Sequence, residues 1–356
     1  MPGHTKLAEG TVVGGDFKVI EPLGVGGMGT VYAAEQLSTG RRRALKVMHG
    51  QLLDDEKQRQ RFVQEAIVGS SIDSAHVVDV IGAGIEDDGT AWIAMELLDG
   101  HDLSELVAKR GPLPRDELWE LLEQICHALG AAHEAEIVHR DIKPENICVT
   151  MPRQARGRPL AKVLDFGIAK IATRVRTGST TAIGSPAWMA PEQANPEVAI
   201  SPATDVWALG VLTFWLLTGR SYWKSVKADQ GSIHALMKEI LFDPLPRASK
   251  RAAELGVADR LPDGFDEWFE RCVHREPRAR FANAHELLRG LQPLLGGEGP
   301  ASTERGPDSA DDAHRAEPPE PMSTRTFVAS GELGTDDVPV SQPSPEPVPS
   351  DEEVPP

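Results

Sequence analysis

The spacing of apolar residues along the chain changes near residue 100. Before that point, apolar and polar residues alternate as in strands over 16–48, 77–85 and 91–97, with a glycine-rich turn at 24–29. One stretch, 54–71, has helical spacing instead. The first part of the chain therefore predicts a small lobe of strands with one helix.

The second part of the chain has the period of amphipathic helices. A helix is predicted over 114–136, and others over 206–217, 234–241, 265–272 and 284–291. These predict a larger, mainly helical lobe, and the two lobes together form an α+β fold. The apolar face of the 114–136 helix contains Leu118, Leu121, Leu122, Ile125, Leu129 and Ala132.

The end of the chain has a different composition. Twelve of the 28 prolines follow Leu295, and from residue 298 onward fourteen acidic residues outnumber three basic ones. Such a segment cannot bury enough apolar surface to offset the loss of chain entropy. We therefore predict an N-terminal extension at 1–15, a β-rich lobe at 16–98, a helical lobe at 99–295 and a disordered acidic tail at 296–356.

Charge and cysteine content restrict the partners and the compartment. The formal net charge of −17 argues against nucleic acid as a partner, because phosphate contacts need clustered Lys and Arg. The three cysteines form no C-x-x-C pair, which favours a reduced cytoplasmic compartment. No run reaches the roughly 18 apolar residues that span a bilayer, so no membrane segment is expected in this chain.

A glycine motif lies between two predicted strands. It consists of Gly24, Gly26 and Gly29, followed by Val31. Glycines without side chains let backbone amides approach phosphate oxygens, although the same pattern also fits a flexible hairpin. A dinucleotide-binding fold would need a helix after Gly29, whereas the sequence continues as a strand.

Lys46 is a cation in an otherwise apolar strand, which is costly to bury unless an anion faces it. Glu65 on the following helix is such an anion. The two would together hold Lys46 against nucleotide phosphates. A surface lysine beside an unrelated glutamate is the alternative.

The segment 139–146 contains Asp141, Lys143 and Asn146 within one loop, since Pro144 disfavours a continuing helix. Asp141 is suited to accept a hydrogen bond from a hydroxyl, Lys143 to neutralise a phosphoryl group and Asn146 to bind Mg²⁺. Nineteen residues after Asn146, Asp165 offers a second oxygen ligand and begins the sequence Asp-Phe-Gly. A shared metal site is the hypothesis that these residues support.

These motifs, together with Ala190-Pro191-Glu192, resemble in their order the signature of eukaryotic-type Ser/Thr protein kinases of the bacterial branch. The resemblance covers about 17–295. It implies a bilobal protein-kinase fold, protein substrates, and ATP with Mg²⁺ as cofactors, Mn²⁺ being a substitute. Some family members have a downstream membrane anchor, so a longer parent chain is an alternative to a cytoplasmic protein.

The resemblance also implies roles for individual residues. Asp141 would be the catalytic base, and Asn146 and Asp165 the metal ligands. Lys143 favours serine or threonine over tyrosine as the acceptor. The nucleotide would be held by the glycine motif, Lys46 and Glu65, with its adenine between Val31, Ala44, Met95, Cys148 and the backbone of Glu96 and Leu98.

Three further positions match structural residues of the family. Glu192 and Arg280 match a buried ion pair, and Asp205 matches an aspartate that braces the catalytic loop. Gly69 departs from the family, which has a bulkier apolar residue there. A glycine in that helix is expected to weaken its packing.

Regulation by phosphorylation is a further hypothesis. Arg140, beside the catalytic aspartate, needs an anion to offset its charge. We expect activating phosphorylation in trans, within a transient homodimer, at one or more of Thr177, Ser179, Thr180 and Thr181.

Two rival functions remain open from the sequence. One is a pseudokinase, a nucleotide-binding scaffold without catalysis, which the filled catalytic positions disfavour. The other is a small-molecule phosphotransferase of related fold, which the resemblance of 184–192 to a peptide-substrate platform disfavours.

Overall fold

The computed structural model describes most residues of the two predicted lobes. The described residues are 7–26, 29–49, 60, 63, 66, 69, 71–150, 158–166, 185–195, 197–226 and 232–296. All of them lie within one compact unit. The prediction of a disordered tail at 296–356 falls, apart from Gly296, outside the described residues.

The first sheet has six strands in the described part of the chain, in the order β1-β2-β3-β4-β6-β5. All neighbouring strands are antiparallel. Gly29 is required at the start of β3, because a Cβ there would collide with the backbone of Val47 on β4. The strands are β1 Val12–Val13, β2 Phe17–Val25, β3 Gly29–Gln36, β4 Arg41–Met48, β5 Val80–Ile85 and β6 Ala91–Glu96.

The helix predicted over 54–71 is described at four positions. Gln60, Val63, Ala66 and Gly69 are helical, and Ser71 lies in a turn. The helix therefore ends before Ser71. Its remaining residues lie outside the described part of the chain.

After β6 the chain is mainly helical, as predicted. A small antiparallel sheet of three strands, β7 Gly100–Asp102, β8 Ile147–Thr150 and β9 Leu160–Val163, lies within this part. The helices described here are α1 Leu103–Arg110, α2 Arg115–Glu134, α3 Pro202–Thr218, α4 Ile233–Leu241, α5 Ala248–Glu254, α6 Phe265–Cys272 and α7 Ala284–Leu295.

Two helices form the centre of this helical core. All six apolar residues predicted on one face of α2 are buried, which confirms the predicted period. Helix α3 is buried on nearly all sides. It begins at Pro202 and ends at Thr218, and the next residue, Gly219, adopts the left-handed conformation with φ 66°. Proline at the first position and glycine after the last one fit the two ends of a helix. In the described part of the chain, no helix is both long and apolar enough to cross a bilayer.

Several bounds differ from the prediction. Helix α7 continues to Leu295 instead of ending at Leu291, because Leu287, Leu291 and Leu295 keep a spacing of four residues and all are buried. Strands β7 to β9 were not predicted. They are only three or four residues long, and β8 is buried on both faces, so it has no alternation to detect.

Candidate active site

The loop that carries Asp141 joins α2 to β8 and is held in place by helix α3. Asp205 of α3 accepts hydrogen bonds from the backbone amides of His139, at 2.9 Å, and Arg140, at 2.8 Å. Arg140 has φ 69°, a left-handed conformation that is strained for a residue with a side chain. The brace expected at Asp205 is therefore present, and it holds a strained backbone.

Asp205 is itself fully enclosed and keeps its charge. His133 of α2 donates from Nε2 to its carboxylate at 2.9 Å, while His133 Nδ1 accepts from the amide of Ala284 at 3.4 Å. Burial alone would raise the pKa of Asp205. The hydrogen bond from His133 and the backbone amide of Arg140 outweigh burial and lower that pKa below its usual value.

Asp141 is the centre of a small polar cluster. Lys143 Nζ donates to Asp141 Oδ2 at 2.7 Å, and Asn146 Nδ2 donates to the same atom at 3.0 Å and to the Asp141 carbonyl at 2.7 Å. Lys143, for which sequence reasoning foresaw only a phosphoryl partner, thus also contacts the aspartate. The amide orientation of Asn146 leaves its Oδ1 as the atom suited to a cation.

Lys46 and Asp165 form a direct ion pair across 119 positions of sequence. Lys46 Nζ lies 2.6 Å from Asp165 Oδ2, and the lysine is buried. Burial alone would raise the pKa of Asp165, but the charge and hydrogen bond of Lys46 lower it below its usual value. Asp165 is therefore an anion at neutral pH, as a metal ligand must be.

The Asp141 and Asp165 parts of the site are joined through the backbone of Asn146 and through His139. The amide of Leu164 donates to the Asn146 carbonyl at 2.9 Å. His139 accepts the Asp141 amide at Nδ1, so its Nε2 carries the proton and donates to the Leu164 carbonyl at 2.7 Å. The described residues thus form one connected chain of contacts from Lys46 to Lys143.

Asn146 and Asp165 suit Mg²⁺, which phosphate oxygens would also bind, better than a metal ion bound by protein side chains alone. Among the described residues, no group of three His, Cys, Asp or Glu side chains is arranged to hold a metal. Mg²⁺ is usually bound by one or two carboxylates together with phosphate oxygens. Asn146 and Asp165 are a donor set of that kind.

The glycine motif is a hairpin between β2 and β3. Gly24 pairs with Val31, and the amide of Gly26 donates to the Gly29 carbonyl at 2.8 Å. The strand continues after Gly29, as expected, so a dinucleotide-binding helix is excluded here.

Four of the residues expected around an adenine belong to one apolar cluster or pack against it. Ala44 on β4 pairs directly with Met95 on β6, and both are buried. Val31 and Leu98 pack against the same cluster. The expected adenine roles of these residues and of Glu96 and Cys148 remain predictions, because apolar packing alone does not identify the ligand.

Cys148 is buried and is expected to resist thiol reagents. Burial, reinforced by Asp102, Glu105 and Glu96, raises the pKa of its thiol to about 11. At pH 8 only about one thiol in a thousand is then ionised, and the thiolate is the reactive form. Iodoacetamide at pH 8 should modify Cys148 far more slowly in the native than in the unfolded protein, as measured by peptide mass spectrometry, and faster as the pH approaches 11. Rapid stoichiometric modification of the native protein at pH 8 would contradict this.

A second buried lysine was missed by the sequence analysis. Lys162 on β9 donates to Glu96 Oε1 at 2.6 Å and to the Val77 carbonyl at 3.1 Å. Glu96 also accepts from the Asp79 amide at 2.9 Å. Lys162 therefore ties the end of β6, where an adenine is expected, to the strand that leads into Asp165.

The expected ion pair between Glu192 and Arg280 is present. Two hydrogen bonds of 2.7 Å, one from each terminal guanidinium nitrogen, join Arg280 to the two carboxylate oxygens of Glu192, and both side chains are almost fully buried. Thr204 of α3 donates to Glu192 at 2.8 Å, and Arg280 also donates to the Ala203 carbonyl. This pair fastens the segment before α3 to the helical core.

Gly69 lies close to Phe166 in the described structure. A Cβ at this position would lie 3.3 Å from the Cβ of Phe166. The absence of a side chain lets the helix backbone approach Phe166, whose ring lies 4.7 Å from that of His139. The helix backbone thus contacts Phe166 directly at Gly69, while the expected weakening of the helix stays a prediction.

Five expected site residues lie outside the described part of the chain. They are Glu65, the expected partner of Lys46, and the expected phosphorylation sites Thr177, Ser179, Thr180 and Thr181. Their roles stay predictions.

Comparison with known proteins gives a consistent result. The family model for the protein kinase domain matches residues 17–290. Serine/threonine-protein kinase pkn3 of Myxococcus xanthus is 33% identical over 289 residues, which cover 80% of this chain and 50% of pkn3. Serine/threonine-protein kinase PknF of Mycobacterium tuberculosis is 32% identical over 299 residues, which cover 82% of this chain and 59% of PknF. The matched residues thus span 50% and 59% of the length of these two curated relatives.

Among solved structures, the kinase domain of Mycobacterium tuberculosis PknI has a similar fold. The TM-score is 0.62 at 25% sequence identity, and the match covers 82% of this chain and all of that domain.

Proposed function

The chain belongs to the protein kinase domain family, in the group of bacterial serine/threonine kinases, and from this premise we propose that it transfers the γ-phosphoryl group of ATP to serine or threonine hydroxyls of proteins. The observation that carries the proposal is the connected cluster of Lys46, Asp165, Asn146, Asp141 and Lys143. Two cations, two carboxylates and a carboxamide at one place suit the binding of a phosphate chain and a metal.

Each side chain of the cluster has a distinct task in this proposal. Lys46 would hold the α and β phosphates, and Asn146 and Asp165 would hold Mg²⁺, which would neutralise phosphate charge when bound. Asp141 accepts the hydrogen bond of the acceptor hydroxyl and orients its oxygen toward the γ-phosphorus. Lys143, held beside Asp141 at 2.7 Å, offsets the negative charge of the phosphoryl group in transfer.

Serine or threonine is the proposed acceptor because Lys143 matches the lysine of that branch of the family. The curated relatives described above are themselves named serine/threonine-protein kinases. Protein substrates follow from the family, and we further propose a transient homodimer for trans-phosphorylation of Thr177, Ser179, Thr180 or Thr181. Such a phosphate would face Arg140.

A labelled-ATP assay tests the proposed function. Purified protein with Mg²⁺, γ-labelled ATP and a generic basic protein should give labelled protein, and acid hydrolysis should release labelled phosphoserine or phosphothreonine. Lys46→Met, which removes the cation that meets Asp165, should abolish the label. Unlabelled protein together with retained ATP binding would instead support a pseudokinase scaffold, and label only in small molecules would support the related phosphotransferase.

A further inference from the structure

The backbone of Arg140 is held from two sides. Its amide donates to Asp205 Oδ1 at 2.8 Å, and its carbonyl accepts from Gln193 Nε2 at 2.7 Å. Arg140 needs such restraint, because its φ of 69° is unfavourable for a residue with a side chain. The carbonyl held by Gln193 belongs to the peptide bond that leads directly into Asp141.

Gln193 lies in the segment anchored by the buried ion pair. It follows Glu192 in a short 3₁₀ turn, Pro191–Ala194, and its Oε1 accepts from the Ala190 amide at 2.9 Å. The orientation of the side-chain amide is set by its partners, since a backbone carbonyl only accepts and a backbone N–H only donates. Both polar groups of the Gln193 side chain therefore have a partner. Oε1 is bonded within its own turn, and Nε2 is bonded to the loop that carries Asp141.

We propose that Gln193 is a positioning residue for Asp141. Through its Nε2, the turn at Pro191–Ala194 holds the Arg140–Asp141 peptide. The loop therefore adopts its strained, active conformation only when this turn is in place. The inference rests on the proposed function, in which Asp141 orients the acceptor hydroxyl. A displacement of a reacting group by about 1 Å can cost about 10²-fold in rate.

Gln193→Glu keeps the hydrogen-bond acceptor of the side chain and removes its donor. The carboxylate can still accept from the Ala190 amide, but it places an oxygen against the Arg140 carbonyl and cannot donate to it. Gln193→Met removes both bonds at similar size. Both variants should lower kcat by about 10- to 100-fold, with the KM for ATP within about twofold of wild type.

The chain offers a matched control in Gln124 of α2. Gln124, also half-buried, accepts from the Ala161 amide at 2.8 Å and donates to the Pro159 carbonyl at 3.1 Å. Gln124→Glu therefore makes the same chemical change between the same kinds of backbone partner, without contact with Arg140. It should leave kcat unchanged.

Amide hydrogen exchange of the peptide that contains residues 139–141 is the deciding measurement, because it does not depend on activity. Exchange there should be faster in Gln193→Glu than in wild type and in Gln124→Glu. The inference is overturned if exchange is unchanged, if it rises equally in the control, or if it rises while kcat stays at the wild-type value. An inactive wild type would overturn the proposed function, and unchanged exchange would still separately overturn the positioning role.

Discussion

Asp141→Asn is expected to lower the rate of phosphoryl transfer by about 10²- to 10⁴-fold, the range of a lost general base. The asparagine side chain has nearly the same shape and keeps an oxygen that can accept from Lys143, which donates to Asp141 Oδ2 at 2.7 Å. It lacks the charge that makes Asp141 a strong acceptor for the substrate hydroxyl. The rate is measured as incorporation of labelled phosphate into protein at saturating ATP.

Measuring nucleotide affinity distinguishes the slower phosphoryl transfer of Asp141→Asn from general damage to the site. Lys46 and Asp165 bond to each other, and Asn146 can still donate to the side-chain oxygen of an asparagine, so the Kd for Mg²⁺–ATP should stay within about threefold of wild type, as measured by calorimetry. Asp263→Asn changes an exposed carboxylate in the turn before α6 and should leave both quantities unchanged. An Asp141→Asn variant as active as wild type would remove Asp141 from the proposed mechanism.

Arg280→Leu is expected to lower the free energy of unfolding by about 3–5 kcal/mol, because it leaves the Glu192 carboxylate buried without its cation. The side chains of the pair are only 0% and 1% exposed. Among the residues that the structure describes, Thr204 alone would remain as a side-chain donor to Glu192. Urea unfolding, followed by circular dichroism, measures the change.

An exposed pair of the same chemistry provides the control. Arg110 and Glu117 are also joined by two bonds, of 2.7 and 2.8 Å, but the arginine side chain is 52% exposed. Arg110→Leu should lower the free energy of unfolding by no more than about 1 kcal/mol. Changing both Glu192 and Arg280 to leucine should lower the free energy of unfolding by less than Arg280→Leu alone. If Arg280→Leu and Arg110→Leu lowered it equally, burial would not be the cause of the effect.

Long periodic elements were predictable from the sequence, whereas short buried ones were not. Helix α2 has twenty residues and a repeated apolar face, so its period is clear. Strand β8 has only four residues, all buried, and helix α1 has eight residues in which only Leu103, Leu106 and Val107 are buried. Patterns of this length do not distinguish a strand or helix from a loop.

The candidate site was predicted as a set of residues, but not as a set of contacts. The cost of burying a cation in an apolar strand identified Lys46 and paired it with Glu65, which lies outside the described residues. The described contact of Lys46 is instead with Asp165, which was predicted only as a metal ligand. Lys162 gave the same signal as Lys46, a cation in an apolar strand, and could have been found by the same argument. Gln193 gave no signal, because its partners are backbone atoms that every residue has.

A crystal structure of the protein with Mg²⁺ and a non-hydrolysable ATP analogue tests the central claim most directly. We expect Asn146 Oδ1 and the Asp165 carboxylate to contact the metal, Lys46 Nζ to contact the α and β phosphates, and Asp141 and Lys143 to face the γ-phosphate. A nucleotide bound elsewhere, or bound with its γ-phosphate turned away from Asp141 and no metal between Asn146 and Asp165, would contradict the account.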